Sequence, residues 1–145
     1  MAIKPNFTPA KVGKELKLRL ANIEKALLNR LKIVAERFIT NARNNHTYTD
    51  QTGNLTSSVG YIIMKDGVQM ANAFPGDKAE GKAKAQSIAK EVSERYQKGY
   101  VLIVVAGMEY AAAVESRNYD VITASSITAE TDLRKSLEEL RTKIR

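Results

Sequence analysis

The residue types able to do chemistry are few in this chain, and their spacing offers little. There is one histidine, His46, with Asp50 four residues on. Together they supply two metal ligands, where a closed zinc site takes about four and a catalytic one about three. No further ligand stands nearby in the sequence, so His46 reads as a solvated or hydrogen-bonded loop residue. Glu138 and Glu139, and the pair Glu130 and Asp132, are one or two positions apart. Such neighbours on a helix do not share a face, which makes them poor acid–base partners and a solvated surface instead. Gly76, Gly81 and Lys82 lack the ordered G-x-x-x-x-G-K-[ST] of a phosphate loop. Asn54-Leu55-Thr56 matches a glycosylation sequon, but the start Met-Ala-Ile-Lys-Pro has no secretory core, so the match carries no weight. Cysteine is absent, which excludes disulfides and thiolate metal sites. No catalytic, metal or cofactor-binding residue is assigned, no cofactor is expected, and the reading is not that of an enzyme.

The elements that position these residues follow from periodicity. Thr8-Pro9 opens a helix well: a hydroxyl to cap free N–H groups, then a proline whose missing N–H costs nothing. Apolar residues recur at Leu16, Leu20, Ile23, Leu27, Leu31, Val34 and Phe38, one stripe on a helix over residues 9–43. At 1.5 Å per residue this helix is about 50 Å long, more than the core of one small domain covers. Part of it is expected to project or to pack on another subunit. Residues 41–54 read as a polar loop. Val59, Tyr61 and Ile63 alternate in a first strand over 57–65, Asp66-Gly67 closes a hairpin, and 68–73 return as a second strand. Residues 78–98 read as a helix stopped by Gly99, and 100–106 as the most apolar and central strand. A helical turn over 109–115, a last strand over 119–123 and a helix over 127–144 complete the chain. The expectation is one domain over 1–145: α+β, a long N-terminal helix, and a mostly antiparallel sheet of about four strands (57–124) with helices packed on it. No apolar run approaches the roughly 20 residues that span a bilayer; a soluble chain with no membrane partner is expected.

Charge is unevenly placed. Residues 1–45 hold ten of the 23 Lys and Arg but three of the 16 Asp and Glu, so the whole net charge of +7 sits there. Lys14, Lys25, Lys32 and Arg43 fall opposite the apolar stripe of the first helix. This face suits an acidic protein neighbour, a non-specific contact with DNA, or solvent alone. With no Trp, and with three Phe and six Tyr not interleaved with bases, the chain lacks the pattern that stacks nucleobases. Residues 74–81, with Phe74, Pro75 and two glycines, read as a docking arm, mobile in a free subunit.

Two segments are more specific: Tyr48-Thr49-Asp50-Gln51-Thr52-Gly53-Asn54-Leu55 running on to Ser58-Val59-Gly60-Tyr61, and Gly107-Met108-Glu109-Tyr110-Ala111 continuing to Val114-Glu115. Together they resemble the head–tail joining, or tail-completion, family of long-tailed bacteriophages, with its "T-G-x-L-x-x-S-[IV]" loop and later "G-x-x-Y-A-x-x-V-E". The resemblance in element order covers nearly the whole chain. It departs after Glu115, where Ser116-Arg117-Asn118 replaces the glycine of many relatives and their proline-rich segment before the last helix is missing.

The resemblance implies that Thr52, Gly53, Leu55, Ser58, Gly107, Tyr110, Val114 and Glu115 set the fold rather than catalyse. It also implies a structural virion protein, assembled in the host cytoplasm as a six-fold ring in the neck. The ring would join the portal or its adaptor to the tail tube, with Lys14, Lys25, Lys32, Arg43, Phe74 and Pro75 as candidate partner contacts. The alternatives are a twelve-fold adaptor ring under the portal and a small basic nucleic-acid-binding protein.

Overall fold

The computed structural model describes residue 6 and residues 8–108, 111–117 and 120–144. Helix α1 runs unbroken over Pro9–Asn44, 36 residues, opened by the Thr8 side chain, which accepts from the Lys11 N–H at 3.2 Å. A single turn, α2 (Asn54–Ser57), leads into strand β1 (Val59–Lys65), which turns back as β2 (Val68–Ala73). Asp66 and Gly67 take φ of 49° and 81°, both left-handed, as a two-residue hairpin turn requires. Helix α3 (Ala79–Ser93), strand β3 (Tyr100–Ala106), and helices α4 (Ala111–Ser116) and α5 (Thr123–Ile144) follow.

The sheet has three antiparallel strands in the order β2-β1-β3. Two expectations change here. Among the described residues there is no fourth strand: residues 120–122 are irregular and Thr123 already opens α5. The central strand is β1, not β3. Its first six residues are all buried, whereas β3 alternates between half-buried and buried. The apolar character of β3 comes from helices on its two faces rather than from strands on its two edges. In β1, Gly60 and Tyr61 mask a strand that is covered on both faces. Met70 is an extra residue in β2, where the register shifts between Ile63 and Met64.

The sheet divides the core. On one face, Val59, Tyr61 and Ile63 of β1 pack against Leu31, Val34, Ala35, Phe38, Ile39 and Ala42 of α1 and Ala129 of α5. On the other, Ile62, Met64, Ile103 and Val105 pack against Ala85 and Ala89 of α3. Helices α1 and α5 run antiparallel: Arg30 donates to the Ser136 carbonyl at 3.0 Å and to Glu139 at 3.2 Å, and Arg19 donates to the Ile144 carbonyl at 3.1 Å. Two ties hold α1 to β1. The Tyr61 hydroxyl donates to Glu36 at 2.9 Å, and Lys65 meets Glu24 at 2.7 Å with its ammonium 5.4 Å from the Tyr100 ring centre. Burial and the hydrogen bond to Glu36 push the Tyr61 phenol up to about 12. The Glu24 hydrogen bond raises Lys65.

The ties to β1 end at Glu24 and the bond to α5 at Arg19, and α1 runs on to Pro9. Its stripe is deeply buried at Val34 and Phe38, both 1% exposed, yet open to water at Leu16 (62%) and Leu20 (57%). The stripe keeps one direction while its surroundings change from core to solvent. Phe38→Ala is therefore expected to cost about 3–5 kcal/mol of unfolding free energy in urea titrations. Leu16→Ala, made in dilute protein, should change it by no more than about 0.5 kcal/mol. Equal losses at the two positions would mean that the N-terminal half of α1 is covered within the subunit.

Candidate functional site

The two motif segments are far apart in sequence and meet at one end of the sheet. Tyr48, Leu55, Met108, Ala111 and Val121 form a third, small core there, with Val114 half-buried against it. The loop after α1 is held by a carboxylate: Asp50 accepts from the Gly53 N–H at 2.9 Å and from the Thr56 N–H at 2.7 Å, so it caps the single turn of α2. Gly53 takes φ of 77°, a conformation that costs a side-chain-bearing residue, and the Thr52 hydroxyl accepts from the Asn54 N–H at 3.3 Å. Leu55 is 1% exposed and is the pin of the turn. The Ser58 hydroxyl donates to the Leu55 carbonyl at 2.7 Å, and the Ser58 carbonyl accepts from the Gly107 N–H at 3.2 Å. Gly107 packs so closely on α3 that a Cβ there would stand 2.4 Å from the backbone of Ala85.

Glu115 does at α5 what Asp50 does at α2. Its Oε1 accepts from the N–H groups of Val121, Ile122 and Thr123 at 2.8–3.1 Å, and Oε2 accepts from the Thr123 hydroxyl at 2.9 Å. A negative charge there also complements the positive end of a long helix. Asp120 adds a bond from the Ala124 N–H, and the Thr47 hydroxyl accepts from the Asp120 N–H at 2.7 Å. Tyr110, the remaining motif residue, lies outside the described residues.

The groups with chemical potential are thus occupied by backbone. His46 bonds the Tyr48 carbonyl through Nδ1 at 2.9 Å and stacks on the Tyr48 ring, centroids 4.2 Å apart. Asp50 is engaged as a cap, and among the described residues no three of His, Asp and Glu gather as a metal site. Glu130 pairs with Arg134, Glu138 with Arg141 and Glu139 with Arg30.

The candidate contact residues are separated more than their shared helical face suggests. Lys14 and Lys25 are exposed; Lys32 and Arg43 are half-buried. The reason is that α1 meets the sheet and α5 together in its C-terminal half. The buried arc there widens to include Ala35, Ile39 and Ala42, and its border reaches Lys32 and Arg43. Phe74 is not a free anchor. Its ring lies over Gly60, where a Cβ would stand 2.2 Å from it, and packs against the cluster of Ile62 and Met64. The residues after it are stitched to α2: Ser57 bonds Asp77 and the Lys78 N–H, both at 3.3 Å, and Asn54 bonds Glu80 at 3.2 Å. Pro75 alone of this pair is exposed.

Two surfaces stand out once the fold is known. One is the overhang of α1, where Val12, Leu16, Leu18 and Leu20 are exposed. The other is a groove of about 530 Å³ between α3 and β2, floored by Ile62, Met64 and Phe74 and edged by Gln69, Asn72 and Lys90. The first was legible as a helix too long for its domain. The second had no sequence signal, because it depends on where α3 lies across the sheet. No described helix is long and apolar enough to cross a membrane. Comparison of the chain with protein-family models, curated protein sequences and solved structures finds no match.

The two capping carboxylates make an acid-sensitive prediction. Burial alone raises Asp50, but hydrogen bonds from Thr56, Gly53 and Leu55 outweigh it and hold the carboxyl below its usual 3.8. Burial likewise raises Glu115, and the bonds from Ile122, Thr123 and Val121 outweigh it, below the usual 4.5. A carboxyl lowered on folding adds stability that is complete above its unfolded value and is lost as pH falls through the folded one. Glu115→Gln should therefore be less stable than the parent by about 1 kcal/mol at pH 7. Its stability should also fall less steeply than the parent's once pH drops below 4.5. Parallel pH profiles would show that Glu115 is not an ionised cap.

Proposed function

We propose that this chain is a structural protein of the neck of a tailed bacteriophage, a ring-forming head–tail joining protein. It sits between the portal or its adaptor and the tail tube, most simply as a six-fold ring. The observation that carries the reading is the α1 overhang: leucines in register with the core stripe, held in water on a helix the domain is too short to cover. A second chain completes such a surface, and a ring supplies one to every copy. The convergence of the two resembling segments into one small core supports the reading, since it gives their shared residue types a joint structural task.

The mechanism is joining. The carboxylates at this end of the sheet, Asp50 and Glu115, are engaged in holding backbone. Exposed Lys14 and Lys25 fall on the face of α1 opposite its apolar stripe, so this charge would meet a neighbour on a second side of the helix. An acidic protein neighbour is the favoured partner of that charge. A channel that must release DNA gains little from gripping it, and phosphate contacts alone give salt-sensitive, sequence-blind binding.

In the phage that encodes it, removal of this gene should leave filled heads and finished tails unjoined. Adding the purified chain to that mixture should restore joined, infectious particles. Normal joining without the chain would exclude the reading.

A further inference from the structure

Two helices lie over one face of the sheet and a single helix over the other. Three strands spaced about 4.8 Å apart need more than one helix of about 10 Å diameter to cover them. Helices α1 and α5 together cover the first face. On the second face α3 lies over β1 and β3, and the face of β2 beside it is bare, with Gln69 and Asn72 exposed. The vacancy is the groove floored by Ile62, Met64 and Phe74, about 530 Å³ in volume. The chain thus lacks half a helix layer over β2, and it owns a helical segment with an uncovered apolar face.

We propose that the overhang of α1 from one copy docks in the groove between α3 and β2 of the next copy. The argument for this occupant is continuity with an interface the chain already makes. Val12, Leu16 and Leu20 prolong the stripe of Leu31, Val34 and Phe38, and that stripe's established partner is an aliphatic sheet face. The groove floor, with Ile62 and Met64 of the same strand β1, is a surface of the same kind turned the other way. Gly13, on the overhang beside this stripe, has nothing within 4 Å of where its Cβ would stand. A glycine in an exposed helix costs about 1 kcal/mol relative to alanine, and close approach of a partner offsets that cost.

Pairing of two overhangs with each other is less favourable. Lys11, Lys14, Lys17, Arg19 and Lys25 outnumber Glu15 and Glu24 on this segment, so two copies repel. The groove edge carries Lys90 and Glu94 together and is close to neutral. Overhang and groove are different patches of one surface, so the contact is head-to-tail, and each copy uses both patches once. The closure of such contacts into a ring rests on the function proposed above; the docking itself rests on the two surfaces.

The chain has no cysteine, so the contact can be trapped directly. Full-length Leu16→Cys and Asn72→Cys proteins, both changed at exposed positions, are mixed at micromolar concentration and oxidised with diamide. Docking raises the local thiol concentration to about millimolar, so disulfide-linked dimer should form roughly a hundredfold faster in the mixture than in either variant alone. The double variant should give a ladder of higher species. Dimer from Leu16→Cys alone at the rate of the mixture overturns the proposal in favour of paired overhangs. A mixture no faster than its components, in protein that light scattering finds oligomeric, overturns the docking and leaves the ring reading standing. A ladder with no closed species supports the docking and counts against the ring.

Discussion

The structure depends on a mismatch of length. One apolar stripe runs the whole of α1, and the domain beneath it is shorter. Where the stripe is covered, from Leu31 to Ala42, it is the largest contribution to the core on that face of the sheet. The sheet, α5 and the ties through Glu24, Glu36 and Arg30 all organise around that half. Where it is uncovered, the same spacing of leucines meets only water. Exposing large aliphatic side chains costs roughly 25 cal/mol for each Å² that burial would remove from water. We propose that a helix keeping them in register through these further turns finds its complement outside the subunit.

The end of the domain away from the overhang shows a different economy of polar groups. Asp50 and Glu115 are the carboxylates that a search for catalysis would examine, and both are spent on helix starts. His46, next to them in the sequence, is occupied by a carbonyl and an aromatic face. Two short helices and the start of a long one are thereby pinned around Leu55, Met108 and Val121. The described motif residues serve this packing and capping rather than catalysis in the reading proposed here.

Much of this was legible in the sequence because local chemistry decided it. The Thr8-Pro9 opening, the unbroken stripe, the Asp66-Gly67 turn and strand 68–73 needed no tertiary information. What failed to read through was whatever tertiary packing decides. The apolar run of β3 suggested a central strand, but helices on two faces produce the same run in an edge strand. Val121 and Ile122 looked like part of a strand and are instead the buried approach to α5, held by Glu115 from six and seven positions back. Phe74 looked like a loose anchor because nothing in sequence shows that Gly60 has cleared a place for its ring. The α3–β2 groove was invisible for the same reason: it is an absence created by where a helix lies.

The central claim is that the N-terminal turns of α1 are completed by another chain. Amide hydrogen exchange tests it most directly, comparing residues 11–20 with residues 31–42 in dilute and in assembled protein. In the dilute subunit the amides of 31–42 should be protected close to the global stability, and those of 11–20 should exchange as a fraying helix end does, with little protection. On assembly, protection of 11–20 should rise towards that of 31–42. Strong protection of 11–20 already in the dilute monomer, or none in the assembled form, would contradict the account.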